Sequence, residues 1–253
     1  DRANLFVVAL DAERRWYRYH HLFGEVLRAH LRAEHPDEEV GLHLRASRWY
    51  ADAGEPAAAV RHALAGGDVA LAADLVERAV PDLRRERREA TIRRWADDFP
   101  PEIVSRRPVL AVGLIGGLMA TNEFAAVAPR VEALAAQLPE IAALIDGTPL
   151  PGSDLVAVDH AELARIPGAV DLYRAGLALV SGDLPATHRF AAQVMETAAP
   201  DDDVVRAGAA GLSGLAYWAS GELDDALRLY ELCVAGLVRG GHWSDALGCY
   251  LTL

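Results

Sequence analysis

Four short turns of related sequence divide much of the chain into helix-length segments. They read AGEPAAA from residue 53, GGDVALA from residue 66, SGDLPAT from residue 181 and SGELDDA from residue 220. Each places glycine, which readily adopts the left-handed conformation that ends a helix, just before residues that favour a helix N-terminus. The segments between the turns are rich in alanine and leucine at helical spacing. The pattern therefore predicts an all-α chain of helix pairs joined by tight turns.

The last two helix pairs carry a repeat. Gly182 and Gly221 are 39 residues apart, a period typical of helix-pair arrays that stack into a curved solenoid. In the last pair, the small and aromatic positions resemble those of a tetratricopeptide repeat: Gly214, Tyr217, Gly221, Ala226, Tyr230 and Cys233. The preceding pair fits less well, because Thr187 stands where alanine is usual. We therefore predict a tetratricopeptide-like helical-repeat solenoid with irregular spacing.

Helical periodicity and the positions of proline predict the other elements. We expect a charged helix over residues 84–98, and further helices over residues 109–120, 123–138, 168–180, 184–197, 204–220 and 223–239. Residues 146–154 hold two prolines and two glycines, which predicts a loop. Residues 155–167 have weak periodicity and are interpreted as a short irregular helix.

The N-terminal segment has a different pattern. Residues 5–10 form an apolar run, residues 11–15 are polar, and residues 16–20 alternate aromatic and polar side chains, which predicts a β-hairpin. Residues 21–33 then show helical spacing. A hairpin and one helix are too small to fold alone. We therefore expect a piece of a longer protein that begins inside a domain.

Composition argues against several classes of function. The net charge of the 253 residues is −12, and surfaces that bind duplex DNA are usually basic, so direct nucleic-acid contact is not expected. A Walker phosphate-binding loop needs lysine, which the sequence lacks. No apolar run reaches the ~18 residues that span a membrane. Two cysteines are too few for a disulfide scaffold, so we predict a cytoplasmic location.

Three segments carry a family resemblance. They read RYHHLFGEVLRAHL from residue 18, LHLRASRWYADAGEPAAAVRHALAGGDVALAADLVERA from residue 42, and RRWADDFPPEIVSRRPVLAV from residue 93. In these segments the chain resembles the large ATP-dependent transcriptional regulators of the MalT/LuxR type. The resemblance implies a domain order of nucleotide-binding domain, winged helix, helical-repeat sensor and C-terminal DNA-binding helix-turn-helix.

The same resemblance implies how this chain is divided. Residues 1–35 would be the C-terminal part of the winged-helix domain, and residues 36–253 would form the tetratricopeptide-like domain, with a loop or insertion near residues 146–167. ATP would belong to the nucleotide-binding domain outside this segment, so no cofactor is expected here.

Aromatic residues and one arginine are the candidates for ligand binding. In a tetratricopeptide array the concave face is the surface that takes ligands or partners. Aromatic planes and an arginine fork on that face would bind a sugar or another small polar effector. The residues selected in this way are Tyr173, Arg174, Trp218, Trp243 and Tyr250. The alternative for each is a place in the core between helices.

The remaining polar clusters predict neither catalysis nor a metal site. His20 and His21 are adjacent and lack further ligands at suitable spacing for a metal site. Asp159 and His160 are also adjacent, and adjacent side chains on a helix point in different directions, which argues against a metal site there. The motif GLSGL from residue 211 lacks the last glycine and the preceding strand of a nucleophile elbow. The basic run RRERR from residue 84 is interpreted as a solvated helix face or an intramolecular docking surface. We therefore expect no enzymatic activity.

The sequence supports two hypotheses about function. In the first, this is the effector-sensing region of a LuxR-type ATP-dependent transcriptional regulator, where a ligand in the concave groove controls the nucleotide-binding and DNA-binding domains. In the second, the solenoid binds a protein partner or self-associates and takes no small ligand, a role suited to exposed tryptophan and tyrosine.

Overall fold

A computed structural model of the protein describes residues 6–15, 17–35, 37–95, 97–148 and 150–251. The chain divides into two compact units, Asp1–Ala72 and Ala73–Leu253. The described residues form a two-stranded hairpin and then helices that pack in sequential pairs, which confirms the predicted fold class. None of these helices is long and apolar enough to cross a membrane.

The first unit begins with the predicted hairpin. Strand β1 (Val7–Ala9) pairs antiparallel with β2 (Tyr17–Tyr19), and helix α1 (His21–Glu34) comes next. Phe23 of α1 stacks on Phe6 with ring centroids 4.6 Å apart, and its ring lies 5.5 Å from that of Tyr19. The aromatic side chains of the hairpin thus hold the helix against it. Leu5 and Trp16, which also belong to the predicted hairpin, lie outside the described residues.

Helices α2 (Glu38–Asp52) and α3 (Pro56–Ala65) form the next pair. The chain reverses between them at Gly54, whose φ of +74° explains why glycine stands there. The buried Ser47 hydroxyl donates to the Ala59 carbonyl at 2.9 Å, and the Nδ1 atoms of His43 and His62 lie 2.8 Å apart. The predicted AGEPAAA turn is confirmed.

The second unit is built around a nearly fully buried helix, α7. It begins within α4 (Val69–Arg85) and continues through α5 (Glu89–Trp95), α6 (Pro101–Arg106), α7 (Pro108–Ala120), α8 (Phe124–Ala136) and α9 (Leu138–Ile145). A Cβ atom on Gly117 of α7 would lie 3.1 Å from the Arg93 backbone nitrogen, so glycine permits the close contact with α5.

Two long helix hairpins and a final helix complete the second unit. They are α10 (His160–Val180) with α11 (Leu184–Thr197), α12 (Asp203–Ser220) with α13 (Leu223–Arg239), and α14 (Trp243–Tyr250). Gly182 and Gly221 have φ values of +78° and +86°, as the turn pattern predicted. The Asp183 side chain caps α11 by accepting from the Ala186 backbone N–H at 2.9 Å.

The helix predicted over residues 84–98 is confirmed only for residues 89–95, and its predicted start is wrong. Helix α4 continues to Arg85 through Pro81, the chain turns at Arg87 with φ of +58°, and α5 begins at Glu89. Proline inside a helix costs about 3 kcal/mol. Here the apolar stripe continues past it through the buried Val80 and Leu83, and that burial outweighs the lost hydrogen bond.

The short irregular helix predicted over residues 155–167 is confirmed only from residue 160, and its predicted end at Pro167 is wrong for the same reason. Residues 155–159 are irregular, and α10 runs from His160 through Pro167 without a break. Leu163, Ile166 and Val170 form one fully buried stripe across the proline. The loop predicted over residues 146–154 is confirmed for the described residues, and helices α6 and α9 were not predicted.

Candidate ligand-binding cleft

A cavity of about 330 Å³ lies in the second unit, where segments distant in sequence meet. We call it the arginine cleft. Its walls come from the end of α4, Val112 of α7, the start of α10, the start of α12 with the residue before it, and the turn before α14. Its polar lining residues are Arg84, Arg85, Glu162, Arg165, Asp202 and His242, and its apolar ones include Val112, Ile166 and Val205. The cleft therefore combines an apolar floor with both signs of charge.

Asp202 contributes a buried carboxylate with one unsatisfied oxygen. Its side chain caps α12, because Oδ1 accepts from the Val205 backbone N–H at 3.2 Å. The residue is only 4% exposed, yet Oδ2 has no hydrogen-bond partner among the described residues. Buried carboxylate oxygens almost always have a donor. A residue of the cleft wall thus holds a buried acceptor whose donor the described part of the chain does not supply.

Arg84 contributes a hydrogen-bond donor to the same cleft. Its guanidinium makes no hydrogen bond or ion pair among the described residues. Arg165 differs, since its Nη1 donates to Glu162 Oε1 at 3.2 Å. Burial raises the pKa of Glu162, Asp159 and Asp202 add to the rise, and the positive charges of Arg165 and Arg84 oppose it. Of the two arginines, Arg165 already donates to Glu162, whereas the N–H groups of Arg84 have no acceptor among the described residues.

A second hollow of about 310 Å³ shares Arg84, Val204 and His242 with the cleft. His242 Nδ1 lies 3.2 Å from Asp245 Oδ2, and Asp245 also pairs with Arg87. The α14 end of the cleft is therefore held to the turn between α4 and α5 by charged side chains. No group of three or more potential metal ligands is found among the described residues.

A groove between α11, α12 and α13 is larger, at about 550 Å³. We call it the α11–α13 groove. The rings of His188 and Tyr217 meet there with centroids 4.2 Å apart. Its arginines already have partners: Arg239 pairs with Asp203, Arg228 pairs with Asp225, and Arg206 donates to a backbone carbonyl. Because its charged groups are satisfied, this groove gives a weaker case for a polar ligand.

Two of the residues selected from sequence are engaged within the protein. Tyr173 is buried, and its hydroxyl donates to the Val112 carbonyl at 3.3 Å. It reaches the second hollow but lies mainly in the interhelix core, the alternative stated above. Arg174 forms a two-pronged ion pair with Glu132 at 3.0 and 2.7 Å.

The other three selected residues are exposed. Trp218, Trp243 and Tyr250 are 62%, 66% and 64% accessible, and none of them makes a ring contact among the described residues. None lines the arginine cleft or the α11–α13 groove. The structure thus does not gather the five residues around one cavity, and their role in ligand binding stays a prediction.

The residues that form the arginine cleft were not selected from sequence. Arg84 belonged to a basic run interpreted as a solvated face or intramolecular docking surface, and Asp202 was not among the residues selected for ligand binding. The sequence carries no signal for burial of Asp202, because its neighbours Asp201 and Asp203 look the same. Only the folded unit brings residues 81–85, 162–169, 202–205 and 240–242 together.

Comparison with known families identifies the N-terminal segment first. The described fold is a helical-repeat chain preceded by a hairpin and a helix. Residues 1–39 match the family model described as the MalT winged helix domain. The chain therefore begins with a winged-helix segment of the MalT type, as the resemblance implied.

Particular relatives extend this likeness into the helical region. The HTH-type transcriptional regulator MalT of Serratia proteamaculans (strain 568) is 30% identical over 112 residues, 44% of this chain and 12% of that protein. MalT of Vibrio cholerae serotype O1 is 36% identical over 76 residues, 30% of this chain and 8% of that protein. The serine/threonine-protein kinase PknK of Mycobacterium tuberculosis (strain ATCC 25618 / H37Rv) is 32% identical over 114 residues, 45% of this chain and 10% of that protein. No solved structure matches the chain significantly.

These matches establish distant, partial homology to MalT regulators and to PknK. The chain spans about a tenth of the length of these relatives. It is thus a region of a MalT-like or PknK-like protein that comprises winged-helix sequence and the helices C-terminal to it. One relative is named a kinase and two are named regulators, and neither name assigns a reaction to these residues.

Proposed function

We propose that the second unit binds a small polar effector in the arginine cleft, as the sensing region of a MalT-like regulator or a PknK-like protein. The observation that carries the proposal is that Asp202, whose buried Oδ2 has no hydrogen-bond partner among the described residues, lines the same cavity as Arg84, whose guanidinium is unpaired in that part of the chain. A ligand that offers an N–H or O–H group to Asp202 and an acidic group to Arg84 satisfies both.

The position of the cleft supports a role in signalling. Its walls belong to five segments, so a ligand that bridges them favours one arrangement of these helices over another. In a protein with the domain order of the MalT/LuxR type, that difference would reach an ATP-binding domain and a DNA-binding helix-turn-helix outside this chain, in the cytoplasm. This region itself would perform no reaction and would contact neither DNA nor membrane.

A ligand panel tests the proposal. We expect thermal stabilisation by small molecules that carry both an acidic group and a hydrogen-bond donor, with amino acids and sugar phosphates as probes. Neutral oligosaccharides serve as comparators, because they offer hydroxyl groups but no acidic group to Arg84. Absence of any shift at millimolar ligand, measured by thermal unfolding and calorimetry, contradicts the proposal.

Matched variants locate the binding site. Loss of a charge-assisted hydrogen bond costs about 1.5–3 kcal/mol, so Arg84→Ala should weaken binding by roughly ten- to a hundredfold. Asp202→Asn keeps the Oδ1 acceptor that caps α12 but replaces Oδ2 by a donor, so it should weaken binding to a similar degree. Arg228→Ala in the α11–α13 groove is the control. Weakening by Arg228→Ala alone would move the site to that groove.

Self-association is the second candidate function, and the outer face of α14 favours it. Trp243, Leu247, Tyr250 and Leu251 are all at least 61% exposed and have helical spacing. An apolar stripe of this kind is suited to pack against a second copy of the chain. Light scattering during size-exclusion chromatography should then show a dimer that Trp243→Ser abolishes. Trp218→Ser, an exposed tryptophan on α12, should leave the dimer intact, and a monomer at all concentrations rules this function out.

A further inference from the structure

The thiols of Cys233 and Cys249 lie side by side where α13 packs against α14. The Cys233 thiol donates a hydrogen bond to Cys249 Sγ over 3.9 Å. Neither sulfur is in a disulfide; Cys233 is buried and Cys249 is half-buried. Since an S–S bond is about 2.05 Å long, the two sulfurs need to approach by about 2 Å to be joined.

The surroundings distinguish the two thiols. Cys233 packs among Ala207, Leu237 and Ala246, and a Cβ atom on Gly211 would lie 2.9 Å from its sulfur. Cys249 is more accessible to a small reagent. The pair lies outside the arginine cleft and the α11–α13 groove, so neither cavity explains why two cysteines meet here.

Electrostatics favours Cys249 as the reactive member. The hydrogen bond from Cys233 lowers the pKa of Cys249, burial and Asp245 oppose this, and the positive charge of Arg87 assists it. The same hydrogen bond, together with burial, raises the pKa of Cys233. The thiolate is the form that attacks oxidants, and its fraction grows as the pKa falls.

We propose that Cys233 and Cys249 are an oxidative modification site, at which a peroxide forms an intramolecular disulfide between α13 and α14. The Cys249 thiolate attacks one peroxide oxygen; an S–O bond forms, the O–O bond breaks, and the other oxygen leaves as water after protonation. Cys233 sulfur then attacks the Cys249 sulfenic acid; the S–S bond forms, the S–O bond breaks, and the oxygen leaves as a second water with the thiol proton. Two thiols lose two electrons and two protons in total, and one peroxide is reduced to two waters.

Such a bond would act on the last helix. It would fix α14 to α13, and α14 carries Asp245, the partner of His242 and Arg87. In a reducing compartment the thiols are kept reduced, so the bond would form only during oxidation and would be reversed by thiol reductants. The inference does not depend on the proposed function, because it concerns the chemistry of the pair alone.

Intact-mass spectrometry of the 253-residue chain treated with hydrogen peroxide tests the inference. We expect a species about 2 Da lighter than the untreated chain, monomeric without reductant, in which both thiols have become unreactive to maleimide together. Digestion should yield a peptide that joins residues 233 and 249, and a thiol reductant should restore both thiols. Stepwise addition of oxygen without this loss of mass, disulfide-linked dimers, or no reaction under conditions that oxidise free glutathione would each overturn it.

Two variants test the order of the steps. In Cys233→Ala the sulfenic acid on Cys249 has no partner, so a dimedone probe should trap it at residue 249. In Cys249→Ser the buried Cys233 should stay a free thiol at the same peroxide concentration. Trapping at Cys233 in Cys249→Ser would contradict the assigned roles. The mass of the wild-type chain decides the main question even where a variant fails to fold.

Discussion

Arg107 forms ion pairs with two carboxylates of the second unit. Its Nη1 lies 2.6 Å from Asp74 and 3.2 Å from Glu77, and both Glu77 and Arg107 are buried. The other oxygen of Glu77 accepts from the Val158 backbone N–H at 3.3 Å. This set ties α4 to the residue before α7 and to the irregular segment before α10.

Removing Arg107 should therefore be costly and pH-dependent. Arg107→Met leaves the buried Glu77 and the half-buried Asp74 without a cation, and we expect a loss of about 3 kcal/mol at pH 7. Burial already raises the pKa of Glu77, with Arg107 opposing that rise. Without Arg107 the pKa rises further, so the native state takes up a proton as pH falls toward the ordinary glutamate range. The variant should recover part of its stability at pH 5.

Urea unfolding at pH 7 and pH 5 measures this effect, with Arg106→Met as the control. Arg106 is an exposed neighbour whose ion pair with Asp154 should contribute less than about 1 kcal/mol. A similar loss for both variants would refute the account, and so would a loss for Arg107→Met that does not change with pH.

Only part of the candidate site could be predicted from the sequence. The capping positions Asp183 and Asp202 could be predicted from local spacing, since a cap contacts residues within one turn. The burial of Asp202 and the unpaired state of Arg84 could not, because they depend on which helices meet in the folded unit. The sequence around Tyr173 likewise does not distinguish a buried position between helices from an exposed position on a ligand-binding surface.

At the scale of elements, close approach of α12 and α13 depends on Gly214. A Cβ atom there would lie 2.9 Å from the Tyr230 ring. Gly214→Val should force the helices apart and destabilise the protein by about 1–3 kcal/mol. Gly248→Ala in α14 is the matched control, since its Cβ would meet nothing within 4 Å. It should leave stability unchanged or raise it by up to about 1 kcal/mol.

Chemical unfolding of both glycine variants checks this prediction. Equal stability of Gly214→Val and the wild-type chain would show that α12 and α13 do not pack closely at this position.

The element pattern was predictable wherever glycine marks a turn. Gly54, Gly182 and Gly221 have positive φ and each ends a helix near the predicted position. The pattern failed around Pro81 and Pro167, where predicted helix bounds lie near a proline that the structure keeps inside a helix. There the buried apolar stripe continues on both sides, and tertiary packing decides the outcome. Short helices such as α6 and α9 are hard to predict because one or two turns carry little periodicity.

At the scale of the whole molecule, the cleft exists only when the second unit is folded. Its lining residues run from position 81 to position 242, although each segment contributes only a few of them. Each reported relative matches less than half of the chain, and the family model covers only residues 1–39, so these comparisons do not establish the site. The central claim, that this cleft takes a polar effector, therefore rests on its own geometry.

Hydrogen exchange with and without the panel compound that gives the largest thermal shift tests that claim most directly. We predict slower exchange in peptides that cover residues 81–85, 162–169, 202–205 and 240–242. Peptides that cover residues 188–195 and 228–232, which line only the α11–α13 groove, should be unchanged. Slower exchange in that groove alone, or no stabilising compound in the panel, would contradict the account.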